Sequence, residues 1–192
     1  SNAQFGLVLL ASSLGSIVGA QLTGRLVHTF GSRKVLYVST IMLPAGLCAI
    51  GFSTEPMVLA CALFLMGFGY SSMDISVNTQ AAVIEKIVKR RWMSTFHALW
   101  SVGAFSAALL GGAIAHFVSP KTHLVVLGIS CMIAYIPGAI YLLPPDLDEH
   151  DGGEEETEAK IPLFSTSVLP LWGMGIAMLS GLVAEGAASD WG

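Results

Sequence analysis

Asp74 and Asn78 stand four residues apart in YSSMDISVNTQA, residues 70–81, directly after the uncharged run MVLACALFLMGFG, residues 57–69. At that spacing both side chains share one face of a helix. Tyr70 and Ser71 extend the face backwards, and Gly67 opens it further. An acid beside an amide can hold a proton or hydrogen-bond a polar solute. A charged side chain at the centre of a membrane helix costs about 2.5–3.5 kcal/mol on insertion scales, so it is expected to face a wet cavity, a partner or a proton. The stripe is therefore expected to turn into a bundle. The competing reading is a packing hydrogen bond between helices. Gln80 falls off the stripe and reads as interfacial.

A second constellation lies downstream. His97 and Ser101 share a face, with Trp100 adjacent. At the depth expected for His97 it can meet Asp74 or Asn78, and an Asp–His pair can carry a proton. The plainer view makes Trp92 and Trp100 interface anchors and His97 a hydrogen-bonded neighbour. Glu185 follows a largely apolar run, 169–184, and reads either as a cavity residue or as an interfacial cap. Asp190 and Trp191 read as external interface. Gly15 and Gly19, and again Gly103, Ala107 and Gly111, form small-residue stripes suited to close helix packing.

The elements that would position these groups are membrane helices. The chain has 192 residues, is 54% hydrophobic and only 11% charged, and has a mean hydropathy of +0.71. Soluble domains carry about 25% charged residues. Ser1, Asn2 and Ala3 read as a tag remnant. Six apolar stretches, 5–27, 35–52, 57–77, 96–118, 124–143 and 168–184, approach the roughly 20 residues a spanning helix needs. The fold class is all-α, a polytopic membrane helix bundle. Cys48, Cys61 and Cys131 fall inside apolar runs and read as reduced, packed thiols. No nucleophile–base motif, nucleotide loop or metal-ligand spacing points to an enzyme, a metal or nucleic acid.

Charge sets the orientation. Every cation but Lys121 falls in or beside the connections after the first, third and fifth stretches. The positive-inside rule makes those connections, 28–34, 85–93 and 144–166, cytoplasmic. The last contains PPDLDEHDGGEEETEAKIP, residues 144–162, with eight of the thirteen carboxylates and little to bury. It reads as a disordered, solvated linker, with a regulatory or cation-binding tract as the alternative.

The first connection, GRLVHTFGSRK at 24–34, resembles the signature between helices two and three of the major facilitator superfamily. Gly24, Gly31, Arg33 and Lys34 fit that pattern, and Arg25 lies within it. His28 stands at the position of the family's Asp, where a titratable imidazole replaces a fixed acid. Thr29 and Ser32 replace basic residues. Glycine there permits a tight turn and close helix approach. SSMDISVNTQAA (71–82), MSTFHALWSVGA (93–104) and AEGAASDWG (184–192) resemble a bacterial subgroup related to the fucose permeases and YbjJ-type inner-membrane transporters.

The resemblance implies a partial major facilitator fold with six transmembrane helices, helices two to seven of a twelve-helix parent. Residues 4–143 would be helices two to six of the first half, 144–166 the central loop and 167–192 helix seven. It implies a multi-pass protein of the bacterial inner membrane that moves a small polar, sugar-like solute by alternating access, driven by a proton gradient and needing no other cofactor. Asp74, Asn78, Tyr70, His97, Trp100 and Glu185 would bind solute or proton. Gly24, Arg25, His28, Gly31, Arg33 and Lys34 would form the inner gate. The alternatives are a non-transporting sensor or scaffold derived from a carrier, and a drug/proton antiporter. Against the latter, residues 107–112 lack the proline of the antiporter pattern. The expected partners are the solute, the lipid bilayer, the missing helices and, for helices left unpaired, a second copy of the chain.

Overall fold

The computed structural model describes residues 2–144, together with Leu147 and Ser180. The chain divides into two compact units, Ser1–His150 and Asp151–Gly192, and apart from Ser180 the described residues belong to the first. The expectations placed on most of the acidic stretch and on the sixth apolar stretch, including Glu185, lie outside the described residues.

Five helices follow one another: α1 (Asn2–Phe30), α2 (Ser32–Phe52), α3 (Pro56–Val88), α4 (Met93–Ala115) and α5 (Pro120–Ile140). All five are long and apolar enough to cross a membrane, as the first five apolar stretches predict. The helices outrun those stretches, however. α1 begins within the tripeptide read as a tag remnant and continues through residues 24–30, expected as part of a gating loop. The connection to α2 is Gly31 alone. Its φ of 83° and ψ of 149° are disfavoured for a residue with a Cβ, so glycine is what allows two helices to meet across one residue. α3 has 33 residues, about 50 Å at 1.5 Å each, against a hydrocarbon core of about 30 Å. Its last turns are charged and take up the first part of the expected 85–93 loop. Lys89, at φ 52°, ends it in the left-handed conformation. Pro56 and Pro120 open α3 and α5, where a missing amide hydrogen removes no helical bond.

The core is inverted relative to that of a soluble protein. Among the described residues, its buried polar side chains are Thr23, Ser32, Ser39, Ser72, Ser76 and Gln80, while its buried apolar ones are Val35, Leu36, Pro44, Ala62 and Ala81. Leucines, isoleucines and phenylalanines stand outside on every helix. In hydrocarbon, apolar side chains gain little by leaving lipid, so helices join through close backbone approach and hydrogen bonds. α3 is the central post, with α1 and α2 packed along it and α5 packed on α2.

The α1–α3 seam shows how this is done. A Cβ added at Gly15 would strike the backbone of Phe64, and one at Gly67 the carbonyl of Ser12. At Gly19 it would lie 2.8 Å from the Phe68 carbonyl oxygen. The Ser16 hydroxyl donates to the Gly67 carbonyl at 3.2 Å, and the Thr23 hydroxyl to Ser72 Oγ at 2.7 Å. The stripe read at Gly15 and Gly19 is thus a packing face. Gly67, expected to open the Asp74 face, belongs to this seam instead.

The Gly103–Ala107–Gly111 stripe behaves differently. α4 has no buried residue, and a Cβ at Gly103 would meet nothing within 4 Å. Only Gly111 faces a neighbour, His123 of α5. Its close-packing partner is not among the described residues.

These two environments separate in a substitution test. Gly67→Ala should destabilise the chain by about 1–3 kcal/mol, the usual cost of overpacking. Gly103→Ala should be neutral or stabilising by up to about 1 kcal/mol, since it replaces a helical glycine in open space. Thermal unfolding of both variants in detergent micelles measures the difference.

Candidate functional site

α3 carries two polar stripes on nearly opposite faces. Ser72, Ser76 and Gln80 recur every fourth residue and are buried. Asp74 and Asn78 sit two residues from members of that series, which on a helix is a rotation of about 200°. The core takes the serines because they are small and can bond their own helix, as Ser76 does in donating to the Ser72 carbonyl at 2.8 Å. Asp74 and Asn78 lie on the other side.

There they line a pocket of about 200 Å³. α3 contributes Tyr70, Asp74 and Asn78, and the first two turns of α4 contribute Phe96, His97 and Trp100. Asp74 is exposed, as are Tyr70, His97 and Trp100. The acid thus faces a cavity between two helices of the bundle. Its stripe faces α4, away from the buried Ser72–Gln80 series. The expectation that His97 stands at the depth of Asp74 and Asn78 agrees with the structure, which gathers the three, with Trp100, around one cavity.

Asn78 Nδ2 donates to Asp74 Oδ1 at 3.2 Å. That bond orients the carboxylate and leaves the second oxygen to accept from a proton or a hydroxyl. The imidazole of His97 can give or take a proton on the facing wall. The rings of Tyr70, Phe96 and Trp100 supply apolar walls with a phenol and an indole donor. Ser101 gives its hydroxyl to the His97 carbonyl at 3.0 Å. Such a pocket can bind a small solute with hydroxyl or amine donors and exchange a proton with it.

Two further residues fasten α3 to its neighbours, and Glu85 was not singled out from the sequence. Glu85, in the last turns of α3, accepts hydrogen bonds from the amides of Trp92 and Met93. These are orphan donors at the N-terminus of α4, and the carboxylate complements its positive dipole end. The Arg90 guanidinium lies 5.6 Å from the Trp92 ring, which stacks on Phe96 at 6.5 Å. An acid among Lys86, Lys89, Arg90 and Arg91 was the available signal for Glu85.

The other is Gln80, expected at an interface and found buried. Its Nε2 donates to Ser32 Oγ at 2.7 Å, and its Oε1 accepts from the Leu143 amide at 2.9 Å. One amide thus ties α3 to the start of α2 and to the segment leaving α5. The Ser72–Ser76–Gln80 spacing was its signal.

The residues expected to form a gate lie apart from the Asp74 pocket and line none of it. Gly24 has open space around it, so it mediates no close approach among the described residues. Arg25 and His28 are exposed on the last turns of α1, where the Thr29 hydroxyl donates to the Arg25 carbonyl at 2.8 Å. Arg33 Nε donates to the Tyr37 hydroxyl at 2.9 Å, and that hydroxyl donates to the Ala139 carbonyl at 3.0 Å. This couples α2 to the end of α5. Lys34 lines a separate cleft.

Gln80→Leu removes the acceptor of the Leu143 amide and one bond of Ser32. It should cost about 1–3 kcal/mol, the range for stranding a buried polar group. Amide hydrogen exchange should rise at residues 141–144 and at the start of α2, while that of the α4 interior stays unchanged.

The family model of the Major Facilitator Superfamily matches residues 1–190. An "Uncharacterized transporter y4wD" of Sinorhizobium fredii is 36% identical over 193 residues, covering 100% of this chain and 49% of the relative. An "Uncharacterized MFS-type transporter" of Yersinia pestis is 32% identical over 197 residues, with coverage of 100% and 48%. The "Enterobactin exporter EntS" of Salmonella typhimurium is 31% identical over 118 residues, covering 58% of this chain and 28% of the exporter. The chain spans about half the length of the first two relatives. No solved structure matches.

Proposed function

The chain belongs to the major facilitator superfamily, a family of membrane transporters, and from that premise we propose that it forms part of a proton-coupled carrier for a small polar, sugar-like solute. Asp74 takes the proton, Asn78 holds the carboxylate and bonds the solute, and His97 relays the proton at the α4 wall. Tyr70 and Trp100 bracket the solute's apolar faces. Helices of the two halves rock about this site to expose it alternately to each side. The observation that supports the reading is the pocket between α3 and α4, where an acid–amide pair, an imidazole and two polar aromatics converge. A carboxylate at membrane depth is by default a functional group. The inner-membrane location and the gating role of residues 24–34 belong to the same proposal.

A second reading is export, as in a drug/proton antiporter. It is favoured by the similarity of part of the chain to the enterobactin exporter. The aromatic walls and single carboxylate of the pocket would suit a cationic or amphipathic solute equally well. A carrier-derived sensor would keep the pocket and lack flux.

The complete protein in proteoliposomes separates the three. A sugar symporter accumulates labelled solute when the outside is acid, whereas an antiporter expels it under that gradient and accumulates it under the opposite one. A sensor binds without flux. In the first case Asp74→Asn should lower gradient-driven accumulation roughly ten- to a hundredfold, as for loss of a charged hydrogen-bond partner worth about 1.5–3 kcal/mol. Undiminished accumulation by that variant overturns the proton-carrier role.

A further inference from the structure

α1 and α2 meet across Gly31 and then both dock on α3 more than on each other. They splay, and α3 floors the gap. The resulting cleft has a volume of about 320 Å³ and shares no lining residue with the Asp74 pocket. Leu26 and Phe30 form one wall, Val38 and Met42 the other, and Phe68 lies on the floor. Lys34 is the charged residue of the lining.

The lining also contains two serines, Ser39 of α2 and Ser72 of α3, and both are engaged within the protein. Ser39 donates to the Leu36 carbonyl at 3.0 Å, and Ser72 Oγ accepts from the Thr23 hydroxyl at 2.7 Å. The cleft therefore presents an apolar surface to whatever fills it. At its mouth Phe30 is 54% and Val38 57% exposed, which sets large apolar groups at its rim. Lys34 is exposed at the basic end of the bundle, the cytoplasmic end under the positive-inside rule. Met42, eight residues further along α2, lies about 12 Å deeper. Arg33, the neighbouring cation, is held by Tyr37, both through its Nε and by its guanidinium 5.6 Å from the ring centroid. Lys34 is thus the cation of this turn aimed at the cleft.

We propose that the α1–α2 cleft is a binding site for an anionic phospholipid of the cytoplasmic leaflet. One acyl chain lies between Phe30 and Met42, and the head-group phosphate pairs with the Lys34 ammonium. The cleft and the surrounding hydrocarbon are equally apolar, so the tail supplies fit rather than preference. Selection for net negative charge comes from the cation at the head-group level.

The test uses the complete protein in nanodiscs of phosphatidylcholine. One set is doped with phosphatidylglycerol carrying a photoreactive group on its acyl chain, and a parallel set with the equivalent phosphatidylcholine. Labelled residues are mapped by mass spectrometry. Phosphatidylglycerol should label Phe30, Val38 and Met42 about fivefold more than phosphatidylcholine, the preference expected of one lysine at an anionic surface. Lys34→Gln should abolish that ratio and Lys34→Arg restore it. Equal labelling by the two lipids, or a ratio unchanged in Lys34→Gln, overturns the proposal by making the lipid ordinary solvent. Absence of label overturns it too; crosslinking of Val38→Cys to another part of the protein would then identify a polypeptide segment as the occupant.

Discussion

The structure depends on the absence of a hydrophobic force between helices that already lie in hydrocarbon. Leucine gains nothing by moving from lipid to another leucine, so contact must come from backbone proximity and hydrogen bonding. That requirement puts glycine and hydroxyl residues at the seams and bulky side chains outside. Gly15 against Phe64, Gly67 against Ser12 and Thr23 against Ser72 are direct expressions of it. A larger polar side chain enters a seam only where it finds partners, as Gln80 does with Ser32 and Leu143. Asp74 and Asn78 lie on the opposite face of α3, where they line the candidate pocket.

α3 does two jobs because its periodicity permits them to be separated. Its buried series binds the neighbours that give it position, and the opposite series meets α4 across a cavity. The length of α3 beyond the hydrocarbon core adds a third element. Its charged end supplies Glu85, which fixes where α4 begins. Local sequence, packing and site chemistry are therefore joined on one helix, and Gln80 connects that helix to the turn after α1 and the exit of α5.

Much of this was legible in the residues. Apolar run lengths gave five of the helices directly, because hydrophobic thickness constrains length more strongly than any local propensity does. The grouping of Asp74, Asn78, His97 and Trp100 followed from spacing and from a short connection that returns the chain at the same depth. Helix ends were less legible. Residues 24–30 and 85–88 are polar enough to read as loop, yet a helix continues through them, since polarity marks the membrane boundary and not the end of hydrogen bonding. Gln80 was misplaced because a single polar residue near an interface looks the same whether its partners are water or buried groups. Its partners, Ser32 and Leu143, lie 48 and 63 positions away and leave no local trace. Which helix Asp74 would face was not legible for a related reason. Spacing tells which residues share a face, while the neighbour on that face is decided by what the rest of the helix can pack against.

The cap that Glu85 places on α4 fixes where that helix starts, while Gly111 near its far end faces His123 of α5. Beyond the cap α4 buries nothing. Measured from Trp92, the pocket residues Phe96 to Trp100 lie about 6–12 Å along it, and Ala115 lies about 35 Å away. A tilt about Trp92 that narrows the cavity by an ångström therefore sweeps the far tip through roughly 3–6 Å. A rigid α4 would thus turn a small shift beside the pocket into a larger one at Ala115.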